Sequence, residues 1–232
     1  IPKFDYSALR PEGAIIHGFG GTSSGAGPLI ELHDNLKELF SSKVGELITS
    51  VDIVDIENLI GRCVVSGNVR RSAALALGEH DDFRYLEMKN DQEKLYHHRW
   101  GSNNSYAAHV GMEYGWHANQ TQENGEPGTI WLENARAYGR FKDGVNYDDA
   151  EVVGFNPCVE QSLHNAEMCC LVETFPAKHD DYEDYVKTLK CAYLYGKTVT
   201  LVNTHWPETN AKMLKNRRIG LSQSGVVQAF NK

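Results

Sequence analysis

At 232 residues, with 41% hydrophobic and 23% charged content, the chain has the make-up of a globular protein with one sizeable core or two small ones. A net charge of −8 excludes a general nucleic-acid grip, which needs a basic face to neutralise phosphates, but not a single nucleotide held by a few amides and arginines. No apolar run approaches the roughly 18 residues of a membrane span, and the first residues lack the basic start and apolar stretch of a signal peptide, so a cytoplasmic protein without a membrane partner is expected.

Residues 1–28 are glycine-rich and lack helical period, which reads as a strand running into a ligand-accessible loop at 18–28. Pro28 suits the first turn of a helix carrying Leu29, Leu32, Leu36, Leu39 and Phe40 at helical spacing. A second helix is predicted over Val51–Val65, with Ile53, Ile56, Leu59, Ile60 and Val64 on one face and Cys63 as packing. Gly67 and Asn68 break it, and Val69–Ser72 leads into a strand at Ala73–Leu77. Short helices are expected over Asp81–Lys89 and Asp91–His98, a strand over Ser102–Ala108, and a helix over Met112–Asn124. Glu126-Pro127-Gly128 turns into the short apolar run Thr129–Leu132. Residues 139–155 read as irregular and polar, and Gly154-Phe155-Asn156-Pro157-Cys158 opens a new unit. A buried strand is predicted over Met168–Glu173, the longest helix over Tyr182–Val202, a further helix after Pro207 and a strand over Arg218–Leu221. Strands alternating with helices define an α/β fold with mainly parallel pairing, and no linker or repeat divides it, so one domain is expected.

Five cysteines, at 63, 158, 169, 170 and 191, are too few and too scattered for a secreted disulfide framework. A reducing cytosol fits them better, and the absence of any CxxC pair argues against structural zinc, so no metal site is expected. The chain opens at Ile1 without methionine and stops directly after a helical pattern, which reads as an excerpt of a longer protein.

The segment with most chemical content is Asn156-Pro157-Cys158-Val159-Glu160-Gln161. Proline stiffens it into a turn. Asn156, Cys158 and Glu160 alternate, so in an extended stretch a thiol, an amide and a carboxylate project to one side, where one group reacts, one orients and one moves protons. A buried cysteine in a loop with two solvated neighbours is the plainer reading, and local sequence leaves both open. Cys169 and Cys170 follow, and a strand there points them to opposite faces, so only one can share a site with Cys158. A Cys–His protease with His164 or His179 as base is a weaker competitor, lacking family signatures and an orienting third group. The glycine-rich segment can cradle a phosphate or ribose with backbone amides but has neither the Walker lysine nor the dinucleotide spacing. Arg70 and Arg71 read equally as a phosphate fork or a solvated pair.

Taken together and in order, these segments resemble the monomeric class II ribonucleoside-triphosphate reductases. The matching stretches are GFGGTSSG at 18–25, VSGNVRRSA at 65–73, WGSNNS at 100–105, NGEPG at 124–128, NPCVEQ at 156–161, CCLVETFP at 169–176, THWPETN at 204–210 and NRRIG at 216–220. They span nearly the whole chain, and their joint occurrence is highly specific.

That resemblance implies part of a ten-stranded α/β barrel of two half-barrels, with a central finger loop whose tip is Asn156-Pro157-Cys158. It implies that Cys158 becomes a thiyl radical abstracting the ribose 3′ hydrogen, that Glu160 takes the 3′-hydroxyl proton and that Asn156 bonds the sugar hydroxyls. Cys169, eleven residues after Cys158, matches one member of the redox pair that reduces the 2′ carbon; its partner belongs on a strand before Ile1. Gly20, Gly21, Ser23, Ser24 and Gly25 are implied to lie along substrate, and Asn68, Arg70, Arg71 and Ser72 to relay effector identity. Adenosylcobalamin is the implied cofactor, a ribonucleoside triphosphate the substrate, a deoxynucleotide the effector and a thioredoxin-like protein the reductant. A class I or dimeric class II large chain acting on diphosphates is the nearest alternative, favoured less by the stretches at 100–105 and 204–210. A catalytically silent nucleotide-binding module is the other, and it is expected to have lost Cys158 or Glu160.

Overall fold

The structure, a computed structural model, describes residues 2–18, 20–140 and 142–232. Ile1, Phe19 of the glycine-rich motif and Phe141 of the irregular stretch lie outside the described residues. The chain gathers into two compact units, Ile1–Trp131 and Leu132–Lys232, although no composition shift marks a boundary between them.

In the first unit the 1–28 segment forms no strand among its described residues, only an isolated antiparallel bridge between Ile15 and Thr22. Helix α1 (Gly27–Ser42) carries Pro28 in its first turn, where a missing N–H leaves nothing unpaired. Helix α2 (Ser50–Val65) opens on a capping box: Thr49 Oγ1 accepts from the Asp52 N–H while the Asp52 carboxylate accepts from the Thr49 N–H at 2.8 Å. Its inward face corrects the sequence expectation. Ile53, Ile60 and Val64 are exposed, and Val54, Asp55, Asn58 and Leu59 are buried. The polar pair turns inward because it has partners there. Arg99 grips Asp55 bidentately (2.6 and 2.7 Å), His98 lies 2.9 Å from the same carboxylate, and the Asn58 amide donates to Ser102 Oγ at 3.1 Å. Burial pushes the Asp55 carboxyl up, but Arg99 and His98 outweigh it and hold the pKa at about 2.

Strands β1 (Ala74–Glu79), β2 (Ser102–Ala107) and β3 (Gly128–Ile130) form a parallel sheet in that order, with Ala74 opposite Ser102 and Ser105 opposite Gly128. Between β1 and β2 come α3 (Phe83–Leu86), a 3-10 turn at Met88–Asn90 and α4 (Gln92–His97). Helix α5 (Gly115–Asn124) links β2 to β3 and ends on left-handed Gly125. Tyr85, almost fully buried, anchors the core, its hydroxyl 2.6 and 2.8 Å from the carbonyls of Ala76 and Ser105. Gly78 is required beneath it, because a Cβ there falls 2.3 Å from the Tyr85 ring.

The second unit opens with α6 (Leu132–Ala137), which sequence periodicity did not mark. The stretch read as irregular then contains β4 (Val152–Phe155), paired antiparallel with β5 (Ser162–His164) across a bulge between Val152 and Gly154. Strand β6 (Leu171–Thr174) begins later than expected, so Cys169 and Cys170 precede it and do not lie within it. It pairs in parallel with β7 (Gly220–Gln223). The connection runs through α7 (Tyr182–Val199), capped by Asp181, and α8 (Pro207–Asn216), and a final turn, α9 (Val226–Phe230), follows β7. The α/β class and the predominance of parallel pairing therefore hold, with the β4–β5 hairpin as the antiparallel exception.

Candidate active site

The loop joining β4 to β5 is the segment Asn156–Gln161. It is a closed turn, which corrects the expectation that Asn156, Cys158 and Glu160 project together from an extended stretch. The Asn156 N–H donates to the Gln161 carbonyl at 3.1 Å, the Asn156 side chain accepts from the Gln161 N–H at 2.9 Å, and the Val159 N–H donates to the Asn156 carbonyl at 3.0 Å. Pro157 sets the first corner, and Val159 takes φ +70° to complete the turn, a left-handed value uncommon for a β-branched residue. Asn156 and Gln161 are consequently buried, while Cys158 and Glu160 stand exposed at the tip. Asn156 thus braces the turn, and the thiol and carboxylate are the groups it presents.

Of the two adjacent cysteines, Cys169 belongs to this loop. Its thiol donates to Gln161 Oε1 at 2.7 Å. Burial pushes the Cys169 thiol up to about 11, and the negative charges of Glu160, Cys170 and Cys158 add to the effect. Cys170 is raised by burial alone, while its carbonyl accepts from the Gly220 N–H and so joins the start of the β6–β7 ladder. Cys169 is therefore the one bonded to the Cys158 turn, through Gln161, among the described residues. No thiolate is favoured at neutral pH at either position, since burial disfavours the charged form.

Beneath the hairpin lies a buried ionic cluster that sequence reading missed. Arg218 grips Asp149 bidentately at 2.9 and 2.6 Å and reaches both oxygens of Glu167 at 3.0 Å. Arg140 adds a bond to Asp149 at 2.8 Å and one to the Asn216 side chain at 2.8 Å. The Glu167 carboxylate also accepts from the backbone N–H of His164 at 2.8 Å, tying the cluster to the outgoing strand. Arg218 was visible in the NRRIG stretch, but its partners lie 51 and 69 positions away, beyond any local signal. The His164 ring sits buried against Asp149 and Glu151, and the His179 ring against Asp184 and Tyr185. Among the described residues no hydrogen bond joins either ring to Cys158, and the partners of both rings are those named.

In the first unit the two other predicted loops meet. Gly20 and Gly21 hold φ of +76° and +80°. A side chain at Gly21 meets Val69 at 2.9 Å, and Ser66 Oγ donates to Ser24 Oγ at 3.4 Å. Ser23 braces the glycine loop by donating to the Arg10 carbonyl and accepting from the Gly25 N–H, both at 3.1 Å. Asn68 is left-handed at φ +57°, and Arg71 folds back onto its carbonyl at 3.2 Å. Ser72 packs against Gly61 of α2. The Gly20–Gly25 loop and the Asn68–Ser72 loop are thus contiguous, and the arginine pair sits on the exposed side of the second.

Among the described residues no cluster of His, Cys, Asp or Glu is arranged to hold a metal ion, and no helix is long and apolar enough to cross a membrane.

The comparisons point to one class of protein. Residues 3–40 match the family described as B12-dependent ribonucleotide reductase, insertion domain. Over 94% of its length the chain superimposes on a crystal structure of a B12-dependent (class II) ribonucleotide reductase, with a TM-score of 0.81 and 45% identity, covering 30% of that protein. Among curated relatives it is 50% identical over 230 residues to the probable adenosylcobalamin-dependent ribonucleoside-triphosphate reductase of Dictyostelium discoideum, 49% identical to the Euglena gracilis reductase and 48% identical to that of Lactobacillus leichmannii. It covers 96–98% of itself in these matches and only 30–31% of each relative. The chain is therefore homologous to about three tenths of an adenosylcobalamin-dependent ribonucleoside-triphosphate reductase, and the resemblance read from its motifs holds from end to end.

Proposed function

We propose that this chain is part of the catalytic barrel of an adenosylcobalamin-dependent enzyme that reduces ribonucleoside triphosphates to 2′-deoxyribonucleoside triphosphates for DNA synthesis. The observation that carries the reading is the braced Asn156–Gln161 turn, which presents Cys158 and Glu160 together with Cys169 alongside, on a chain about half identical to reductases of that name. Retention of both Cys158 and Glu160 speaks against the silent nucleotide-binding module, and the names of the relatives favour triphosphate over diphosphate substrates.

In this reading the β4–β5 hairpin is the finger loop, residues 1–232 supply part of the ten-stranded barrel, and the remainder of the protein encloses the tip. Cys158, as a thiyl radical, removes the 3′ hydrogen atom of the ribose, and Glu160 accepts the 3′-hydroxyl proton. Asn156 holds the turn and bonds the sugar hydroxyls. Cys169, with a partner cysteine outside this chain, delivers two electrons to the 2′ carbon as its hydroxyl leaves as water, and the pair ends as a disulfide. A thioredoxin-like protein resets it. The Gly20–Gly25 loop lies along substrate and passes effector identity from Asn68, Arg70, Arg71 and Ser72, which the contact between Gly21 and Val69 supports.

Adenosylcobalamin carries its own cobalt within the corrin ring, so it asks this chain for a reactive thiol and not for a set of metal ligands. Exposed Cys158 fits that requirement. When bound, the cofactor supplies a carbon-centred radical by homolysis of its cobalt–carbon bond.

The test is Cys158→Ser in the full-length enzyme. Serine keeps the shape of the turn, but its O–H bond is too strong to yield the radical. Reduction is expected to be lost while nucleotide binding persists, and deoxynucleotide formation near the wild-type rate removes Cys158 from the role.

A further inference from the structure

Gln161 closes the turn, yet its side chain does something the turn does not need. One end of the carboxamide accepts from the Cys169 thiol at 2.7 Å, while the other end, Nε2, is buried without a partner among the described residues. The residue is only 7% exposed, so no bulk water serves that N–H. A buried unpaired donor is costly, and this one lies beside the Cys169 thiol. The backbone of Gln161 is held on both sides, by the Asn156 side chain and by the Asn156 N–H. The freedom that remains is rotation of the terminal amide.

We propose that Gln161 is a positioning residue for Cys169 whose amide serves both protonation states of the thiol, accepting from S–H through Oε1 and, after a half-turn, donating Nε2–H to the thiolate. The inference rests on the assignment of Cys169 to the redox pair for its functional meaning, but not for its test. A thiol has one weak donor and a thiolate only acceptors, so a fixed acceptor suits the first and opposes the second. A carboxamide offers both at one site with the same shape. Negative charge on Glu160, Cys170 or Cys158 opposes a thiolate at Cys169. A donor within bonding distance of the sulfur eases its formation, and the Gln161 amide is the group that the described residues place there. When Cys169 ionises in the resting protein, the S–H bond breaks, the sulfur keeps the electron pair and the proton passes to solvent.

The experiment measures the pH dependence of Cys169 alkylation by iodoacetamide, peptide by peptide, in the full-length protein, with Cys170 as an internal reference. In Gln161→Leu the loss of the donor is expected to slow Cys169 alkylation at pH 9 by about fivefold, with Cys170 unchanged. If Gln161 acts only as an acceptor, removing it frees the thiol and Cys169 reacts at the same rate or faster, which overturns the proposal. Gln161→Glu tests the contact itself: a fixed negative charge is expected to raise the Cys169 ionisation by about one pH unit, tenfold in thiolate, and an unmoved profile also overturns it. Altered Cys170 reactivity would report a loosened fold; the comparison then passes to Gln161→Met, which keeps length without a donor and must slow Cys169 for the proposal to stand. Failure here with Cys158→Ser still inactive leaves the reductase reading intact, and failure there leaves this measurement unaffected.

Discussion

Within one six-residue loop, Asn156 and Gln161 are buried and Cys158 and Glu160 are exposed. That division of labour was half legible. Proline after asparagine foretold a turn, and the thiol and carboxylate were conspicuous. The bracing role of the Asn156 side chain was not, because it depends on bonds that exist only once the turn has closed. Spacing to Cys158 favours Cys169 over Cys170, and the contact of Cys169 with Gln161 exists only in three dimensions. At this scale Glu160 carries the sharpest expectation. Glutamine preserves its shape and removes its proton affinity, and a positioned base contributes about 10²–10⁴-fold. In the full-length enzyme Glu160→Gln is expected to slow reduction by that order while the radical still forms on Cys158. Unchanged turnover would take the proton-accepting role away from Glu160.

Elements with strong apolar period or clear caps were readable: α1 with Pro28, α7 behind Asp181, α8 behind Pro207 and the parallel β1–β2 pair. The β4–β5 hairpin was not, although it carries the candidate site. Its strands are four and three residues long, Gly154 interrupts one, and a bulge breaks the alternation that marks a half-buried strand. What secures so short a hairpin is the ionic cluster beneath it. Arg218 satisfies Asp149 and Glu167 at once, and both carboxylates are essentially inaccessible. Arg218→Met leaves buried Asp149 with Arg140 and leaves buried Glu167 without its guanidinium partner. Losing one partner of a buried pair typically costs about 3–5 kcal/mol, so chemical denaturation is expected to show destabilisation of that order. A change within about 0.5 kcal/mol would mean that the cluster contributes no net stability. The face of α2 failed for a related reason. Hydrophobic period selects Ile53, Ile60 and Val64, but Asp55 and Asn58 turn inward to Arg99 and Ser102, and paired polar groups leave no trace in an apolar pattern.

For the whole molecule, buried ion pairs in both units set its response to acid. Asp55 has a folded pKa of about 2 against an ordinary value near 3.9, because Arg99 and His98 outweigh the effect of burial. Asp149 is depressed in the same direction, since Arg218 and Arg140 outweigh its burial. A lowered folded value means stability that is fully present above the unfolded value and lost as pH falls through the folded one. The carboxylate pairs are therefore expected to make thermal stability fall progressively between about pH 4 and 2. A midpoint constant down to pH 2 would contradict the pairing described for these carboxylates.

The central claim, that this chain holds a radical cysteine with a redox cysteine beside it, is tested most directly by mapping thiols after one turnover. The full-length enzyme is fully reduced, supplied with adenosylcobalamin and a ribonucleoside triphosphate but no external reductant, quenched, and alkylated for peptide analysis. The expected result is one deoxynucleotide per enzyme, with Cys169 protected from alkylation, Cys170 fully alkylated, and Cys169 still alkylatable in the Cys158→Ser variant. Product formed by the wild-type enzyme with Cys169 still alkylatable, or with Cys170 protected in its place, would contradict the account.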